Sequence, residues 1–353
     1  MGILTFHRAI NYGAVLQAYA LQETLCGMGY DAMVIDYRQP RVERTDRSTF
    51  HSDDKMNLLW GRHFRSWWNY DKNKKHTLER RERFDDFLNQ FIVLSTPCDS
   101  NTIPSMDAYV VGSDQVWNSS ICDGLDSVYW GDFARFPNSK LISYAASTSI
   151  KDLRRHDDET LAMLLRNFDH ISVRERETCN YLNHHFSLKS DVLTVLDPTL
   201  LADRSIWDRF DNDKFKNRKY VLCFGARACS VYPTVLRDKA KVLATQMGCD
   251  VEYIDFNSDT PVDFVNKYRN AAAVVTSSFH GVAFSLVFNR PLYAVQYGDE
   301  QDARYVNVLR SVGAEDMLVD VCQEVHPKDF DYKLINDKLG EIRKESIKYL
   351  KCL

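Results

Sequence analysis

The stretch Val274-Val275-Thr276-Ser277-Ser278-Phe279-His280-Gly281-Val282-Ala283-Phe284-Ser285-Leu286-Val287-Phe288-Asn289-Arg290-Pro291 reads as a buried strand, a hydroxyl-rich turn carrying a histidine, and an apolar helix. A strand that turns directly into a helix builds an anion site. The first amides of the helix lack intrahelical acceptors and lie at the positive end of its dipole, so Ser277, Ser278 and neighbouring N–H groups can hold a phosphate or carboxylate. His280 then falls in the first helical turn, beside that anion. The plainer reading of the same residues is an N-cap at Ser277 or Ser278, close packing at Gly281, and a core histidine satisfied by hydrogen bonds.

Outward from this unit the alternation of strand and helix repeats almost throughout, the pattern of βαβ units and a parallel sheet. In the first half it predicts strands over Ile3–Phe6, Ala32–Asp36, Ala108–Val111, Leu141–Tyr144, Ile171–Val173 and Val192–Val195, with helices over Ala14–Met28, Asp157–Asn167 and Glu175–Asn183. In the second half it predicts strands over Tyr220–Phe224, Val251–Ile254, Ala272–Thr276 and Leu292–Val295, with helices over Val231–Gln246, Pro261–Asn270 and Phe279–Phe288. A chain of 353 residues exceeds the size at which one core keeps growing. Two α/β domains are therefore expected, 1–200 and 201–330, with the join after Leu196-Asp197-Pro198-Thr199-Leu200, where proline breaks the pattern. A final amphipathic helix over 331–353 is read as returning to the first domain.

The insertion 38–105 interrupts this order. Arg38 to Arg83 holds 13 Lys and Arg against 7 Asp and Glu, in a chain whose net charge is −4. Trp60, Phe64, Trp67 and Trp68 are spaced for one helical face, with Tyr70 and the Lys72–Lys75 cluster alongside, before a helix predicted over Thr77–Phe91. The simpler expectation is that these aromatics pack on their own domain; the sharper one is a peripheral contact with an anionic membrane surface. Single-stranded nucleic acid ranks last, because the rest of the chain is acidic.

With 44% hydrophobic and 27% charged residues, the chain is neither disordered nor collagen-like. No apolar run approaches a membrane span, and Gly2 to Phe6 has neither a basic leader nor a cleavage site, so a cytoplasmic protein is expected. Nine cysteines form no C-x-x-C pair and no metal-ligand spacing with histidine; reduced core thiols and no metal site are expected.

Three further segments have the form of loops at the carboxyl ends of strands, where open α/β sheets place ligands. His7-Arg8-Ala9-Ile10-Asn11-Tyr12-Gly13-Ala14 runs into a helix containing Gln17, and presents free helix-start amides without G-x-G-x-x-G or a P-loop lysine. Gly112-Ser113-Asp114-Gln115-Val116-Trp117-Asn118 is unusually polar for a segment after a buried strand. Ser172-Val173-Arg174-Glu175 offers a five-donor guanidinium suited to a carboxylate or phosphate, or else a surface Arg–Glu pair.

Taken in order, Asn11 to Leu21, Val111 to Asn118, Ser143-Tyr144-Ala145-Ala146-Ser147, Ser172 to Glu175, Asp197 to Leu201 and Ser278-Phe279-His280-Gly281 resemble the polysaccharide pyruvyltransferase family, over Gly2 to about Val319. The segment Arg38–Arg83 has no counterpart in that pattern. The resemblance implies a GT-B-like fold of two Rossmann-like domains facing across a cleft. It also implies transfer of pyruvate from phosphoenolpyruvate to a sugar of a cell-surface polysaccharide or its precursor, as a ketal, with release of phosphate. Arg174 and His280 would stand where the family contacts the donor. No cofactor is implied, since phosphoenolpyruvate is itself the donor substrate; the acceptor is a glycan or lipid-linked sugar, and the oligomeric state is left open.

The residue types suit that chemistry. Forming a ketal from an enol phosphate requires protonation of the methylene, stabilisation of positive character at the adjacent carbon, and binding of a carboxylate and a departing phosphate. Arg174 and His280 are the expected donor-side catalytic groups, with Ser277, Ser278, Gly281 and Arg304 around the donor. Asp114 is the expected proton acceptor for a sugar hydroxyl, with Asn11, Gly13, Gln17 and Gln115 orienting the sugar and Tyr12 or Trp117 stacking on it. Two other classes fit the same fold: a sugar-nucleotide-dependent glycosyltransferase and a non-catalytic glycan-binding protein. The first lacks an evident acidic ribose-binding position after Ser278–Gly281, and the second needs no paired anion sites.

Overall fold

The computed structural model describes residues 1–44, 64–225, 232–299 and 301–353. A six-stranded parallel sheet is built from β1 (Gly2–Leu4), β2 (Met33–Val34), β3 (Ala108–Val111), β4 (Lys140–Ala146), β5 (His170–Val173) and β6 (Leu193–Thr194), in the order β2-β1-β3-β4-β5-β6. Its helical segments are α1 (Tyr12–Gly27), α2 (Pro40–Arg44), α3 (Phe64–Phe91), α4 (Ser119–Cys122), α5 (Ile150–Leu153), α6 (Asp158–Leu165), α7 (Arg176–His185) and α8 (Pro198–Leu201). The second sheet, also parallel, comprises β7 (Tyr220–Phe224), β8 (Asp250–Tyr253), β9 (Ala273–Thr276), β10 (Leu292–Gln296) and β11 (Leu318–Asp320), in the order β11-β10-β9-β7-β8. It carries α9 (Tyr232–Met247), α10 (Pro261–Asn270), α11 (Phe279–Val287) and α12 (Ala303–Ser311), and α13 (Tyr332–Leu350) closes the chain.

Two parallel-sheet α/β domains facing across a cleft are the GT-B-like architecture expected from the sequence. The strands are short apolar runs buried on both faces, as parallel sheets covered by helices require: all of Tyr109, Val110 and Val111, and all of Ala273, Val274 and Val275, are fully buried. β11 and α12 are additions to the predicted elements. β11 is a three-residue edge strand too short to show a period, whereas α12 buries Tyr305, Val306 and Leu309 at helical spacing.

The junction between the sheets is a packed apolar seam. α1 is apolar nearly all round because it is covered on all sides, with 12 of its 16 residues buried. One hydrophobic cluster runs from Val15, Leu16 and Tyr19 of α1 through Leu200 and Leu201 of α8 to Phe264 of α10 and Phe284 of α11. α13 lies against the first sheet, where the Tyr349 hydroxyl donates to the Ser143 carbonyl (2.8 Å) and Ser346 Oγ accepts from the Leu196 N–H (3.0 Å).

α3 is longer than the helix predicted over Thr77–Phe91. Its final turns bury Phe84, Phe87 and Leu88 in the interdomain cluster. Trp60, and the side chains of Phe64, Trp67, Trp68 and Tyr70 on which the aromatic stripe was read, lie outside the described residues. Among the described residues no helix is long and apolar enough to cross a membrane.

Candidate active site

The cleft holds a cavity of about 640 Å³, the size of a small-ligand site. Its second-domain wall is the turn from β9 into α11. Thr276 Oγ1 donates to the Phe224 carbonyl and accepts from the Ser278 N–H, which fixes the turn. Ser278 caps α11, its Oγ accepting from the Gly281 N–H at 3.4 Å. Among the described residues, Ser277 Oγ and His280 Nε2 are buried without a hydrogen-bond partner. Buried polar atoms are nearly always paired, so these two atoms at the start of α11, on residues that both line the cavity, are groups whose bonding a ligand can complete.

α1 brings a second helix N-terminus to the same point. Asn11 caps it, Oδ1 accepting from the Gly13 and Ala14 N–H groups at 2.9 and 3.3 Å. A Cβ placed on Gly13 would fall under 3.0 Å from Nδ1, Cε1 and Cγ of His280, so glycine here is what allows the imidazole to lie against α1 across the domain junction. The positive ends of α1 and α11 therefore converge on one volume.

The first-domain wall is a charged network. Arg174 donates from Nε to Glu175 Oε1 (3.0 Å), from Nη1 to Asp197 Oδ2 (3.0 Å) and from Nη2 to Ser147 Oγ (2.9 Å), and its guanidinium lies 4.4 Å from the Phe279 ring centre. Asp197 also accepts from the Ser113 hydroxyl and from the N–H and hydroxyl of Thr199. Burial opposes both charges, yet the Arg174 pKa is raised because Glu175, Asp197 and Asp114 outweigh it. Asp197 is held below the usual carboxylate range: burial alone would raise it, and His280, Arg174 and the Thr199 bonds overcome that. His280 moves downward, because burial dominates, with Arg174 and Arg304 adding to it against the pull of Asp197 and Asp114.

Asn11, Tyr12, Gly13, Asp114, Gln115 and Arg174 line this cavity from the first domain, and Ser277, Ser278, His280 and Arg304 from the second. Three predicted contacts are corrected. Gln17 is fully buried in α1, its amide donating to Thr5 Oγ1 and the Ala14 carbonyl (2.7 and 2.9 Å). Trp117 is core: it stacks on Trp130 at 4.6 Å and donates from Nε1 to the Tyr129 carbonyl. Gly281 packs α11 onto β9 and α10, where a Cβ would press on Thr276 Oγ1 and lie 2.9 Å from the Tyr268 hydroxyl. Tyr12 reaches the cavity, but not as an open sugar platform. Its ring is stacked on Phe264 (4.8 Å) and Phe256 (5.9 Å), tilted against Phe84, and its hydroxyl donates to the Asp259 carbonyl.

The lining includes residues that the sequence reading did not place in the site, among them Lys151 and Glu175. Lys151, exposed on α5, adds a cation. Glu175 reads in sequence as the partner of a surface pair, but is 7% exposed. The available signal was its position: it is the N-cap of α7, where Ser, Thr, Asp or Asn is usual, and its side chain does not cap. Among the described residues no group of three His, Cys, Asp or Glu is arranged to hold a metal ion.

A family model described as polysaccharide pyruvyl transferase matches residues 11–299, a span that contains the cavity-lining residues named above except Arg304. No curated protein matches the chain at a significant level. Among solved structures, a UDP-N-acetylglucosamine 2-epimerase from Rickettsia bellii is similar at 7% identity, TM-score 0.42, covering 98% of this chain and 87% of the other. The Arabidopsis thaliana protein UGT89C1, complexed with quercetin, is similar at 12% identity, TM-score 0.41, covering 98% and 93%. At such identities, what those proteins bind is not carried over to this one.

Proposed function

The chain belongs to the polysaccharide pyruvyl transferase family, and from that premise we propose that it transfers pyruvate from phosphoenolpyruvate to two hydroxyls of a sugar, forming a ketal and releasing phosphate. The observation that carries this reading is the convergence of α1 and α11 on the orphaned Ser277 Oγ and His280 Nε2. A small dianion suits that point, since oriented amides, a hydroxyl and a switchable imidazole stabilise phosphate without a metal.

In this reading the donor phosphate sits at the Ser277–His280 turn of the second domain. Its carboxylate lies toward Arg304, Lys151 and the two N–H groups of Arg174 left after its three bonds. An approaching dianion raises the His280 pKa, so donor binding charges the imidazole and readies it to protonate the methylene carbon. The first domain, 1–200, presents the acceptor, with Asp114 receiving the proton of the attacking hydroxyl and Asn11 and Gln115 orienting the sugar. The second, 201–330, is the donor phosphate side.

Thermal unfolding of the full chain with phosphoenolpyruvate, inorganic phosphate, and UDP- and GDP-sugars tests the reading, because a ligand of the native state stabilises it by mass action. Stabilisation by phosphoenolpyruvate is expected. Stabilisation by a nucleotide sugar with none from phosphoenolpyruvate overturns the proposal in favour of a glycosyltransferase.

A further inference from the structure

Glu175 has one oxygen in use and one unpartnered. Oε1 accepts from the Ser147 hydroxyl at 2.6 Å and from Arg174 Nε at 3.0 Å. Oε2 is buried, lacks any partner among the described residues, and belongs to a side chain only 9% exposed that lines the cavity. A buried carboxylate oxygen needs a hydrogen-bond donor. Phosphoenolpyruvate cannot supply one, since near neutral pH its carboxylate and phosphate oxygens are essentially all acceptors, and its negative charge is repelled there. A sugar supplies several hydroxyls.

A ketal also makes a demand that one base does not meet. Two acceptor hydroxyls must each lose a proton, and Asp114 has been assigned to one of them. We infer that Glu175 is the second base: its Oε2 hydrogen-bonds the other acceptor hydroxyl and takes its proton. This rests on the pyruvyl-transfer reading above and adds a residue to it.

The first hydroxyl oxygen bonds the enol carbon that carries the phosphate and yields its proton to Asp114, while the enol electron pair takes a proton from His280 to become a methyl group. The carbon–oxygen bond to phosphate then breaks, and the leaving group collects the proton held by Asp114. The second hydroxyl oxygen bonds the resulting cationic carbon and gives its proton to Glu175, from which it passes through solvent to restore His280. Two hydroxyl protons have left the sugar; one has gone to the methyl group and one to phosphate. The network fixes Glu175 for this task, since Arg174 ties Oε1 in place and Asp197 ties Arg174.

The test uses the full chain, phosphoenolpyruvate, and a series of methyl hexopyranosides whose 1,2-cis or 1,3-diols can close a ketal ring. Glu175→Gln is the discriminating variant, because its amide oxygen can keep the bonds to Ser147 and Arg174 while its NH₂ replaces the unpaired acceptor with a donor. The expected result is phosphate release at least ~100-fold slower than wild type, the scale of a lost general base, with stabilisation by phosphoenolpyruvate retained. Should this variant not fold, Glu175→Asp, which withdraws the carboxylate by one methylene, gives the same comparison. Turnover within about threefold of wild type, or a loss of turnover matched by a loss of donor binding, overturns the assignment of Glu175 alone. Wild-type protein that phosphoenolpyruvate does not stabilise overturns the donor reading beneath it. Wild-type protein that binds phosphoenolpyruvate yet releases no phosphate to any diol of the series overturns the transfer reading.

Discussion

Gly13→Ala isolates the contact on which the candidate site depends. The substitution adds a methyl group under 3.0 Å from three atoms of the His280 ring, a separation Cβ atoms essentially never show, whereas ordinary contact begins at 3.4 Å. Two terms oppose each other. Alanine in a helix is favoured over glycine by up to about 1 kcal/mol, and less at the second position of α1 than in its interior. Overpacking a filled site costs about 1–3 kcal/mol. If the ring stays, the net effect is a loss of roughly 0–3 kcal/mol. If the ring swings away to regain normal contact, stability is nearly unchanged, but the imidazole leaves the point where α1 and α11 converge. In that second case stabilisation by phosphoenolpyruvate should fall sharply while the protein remains folded. Calorimetry of the variant and wild type, each with and without phosphoenolpyruvate, separates the terms. A variant more stable than wild type that keeps full donor stabilisation would refute both the His280–Gly13 contact and the place given to His280.

His280→Gln should flatten the acid side of the stability profile. Burial holds the native His280 pKa below 6.5, so the unfolded chain binds the extra proton first, and wild type loses up to about 1.4 kcal/mol per pH unit from pH ~6.5 downward until the native pKa is reached. Denaturant titrations at several pH values check this, and parallel wild-type and variant profiles would contradict it. Arg174→Met leaves Asp197 and Glu175 facing each other without their cation and should cost about 3–5 kcal/mol. Arg174→Lys keeps the charge but cannot span three partners, and should lower turnover at least ~100-fold with a smaller loss of stability; near-normal phosphate release would count against it. Trp117→Ala removes the ring stacked on Trp130 and should cost about 3–5 kcal/mol while phosphoenolpyruvate still stabilises the folded fraction. Loss of donor or acceptor binding with little loss of stability would return Trp117 to the cleft wall.

The sequence by itself determined the alternation of strand and helix, because period and punctuation are local: Ala108–Val111, Tyr220–Phe224 and Pro261–Asn270 are found with their predicted bounds. It also singled out the loops after β1, β3, β5 and β9, since a run of polar residues directly behind a buried strand is costly to desolvate unless a cap or a ligand uses it. What only the tertiary structure decided is which way those residues face and what they meet. Gln17 and Trp117 stand in the right segments, but α1 is buried on every side and the Trp130 ring lies against the indole, so neither reaches the cavity. Arg174 was legible as a cation; that two carboxylates hold it was not, because Asp197 lies 23 residues away along the chain. Glu175 and Gly13 carry the same lesson. A buried unpaired oxygen and a glycine pressed on an imidazole are relations between segments from different parts of the fold, and no local pattern encodes them.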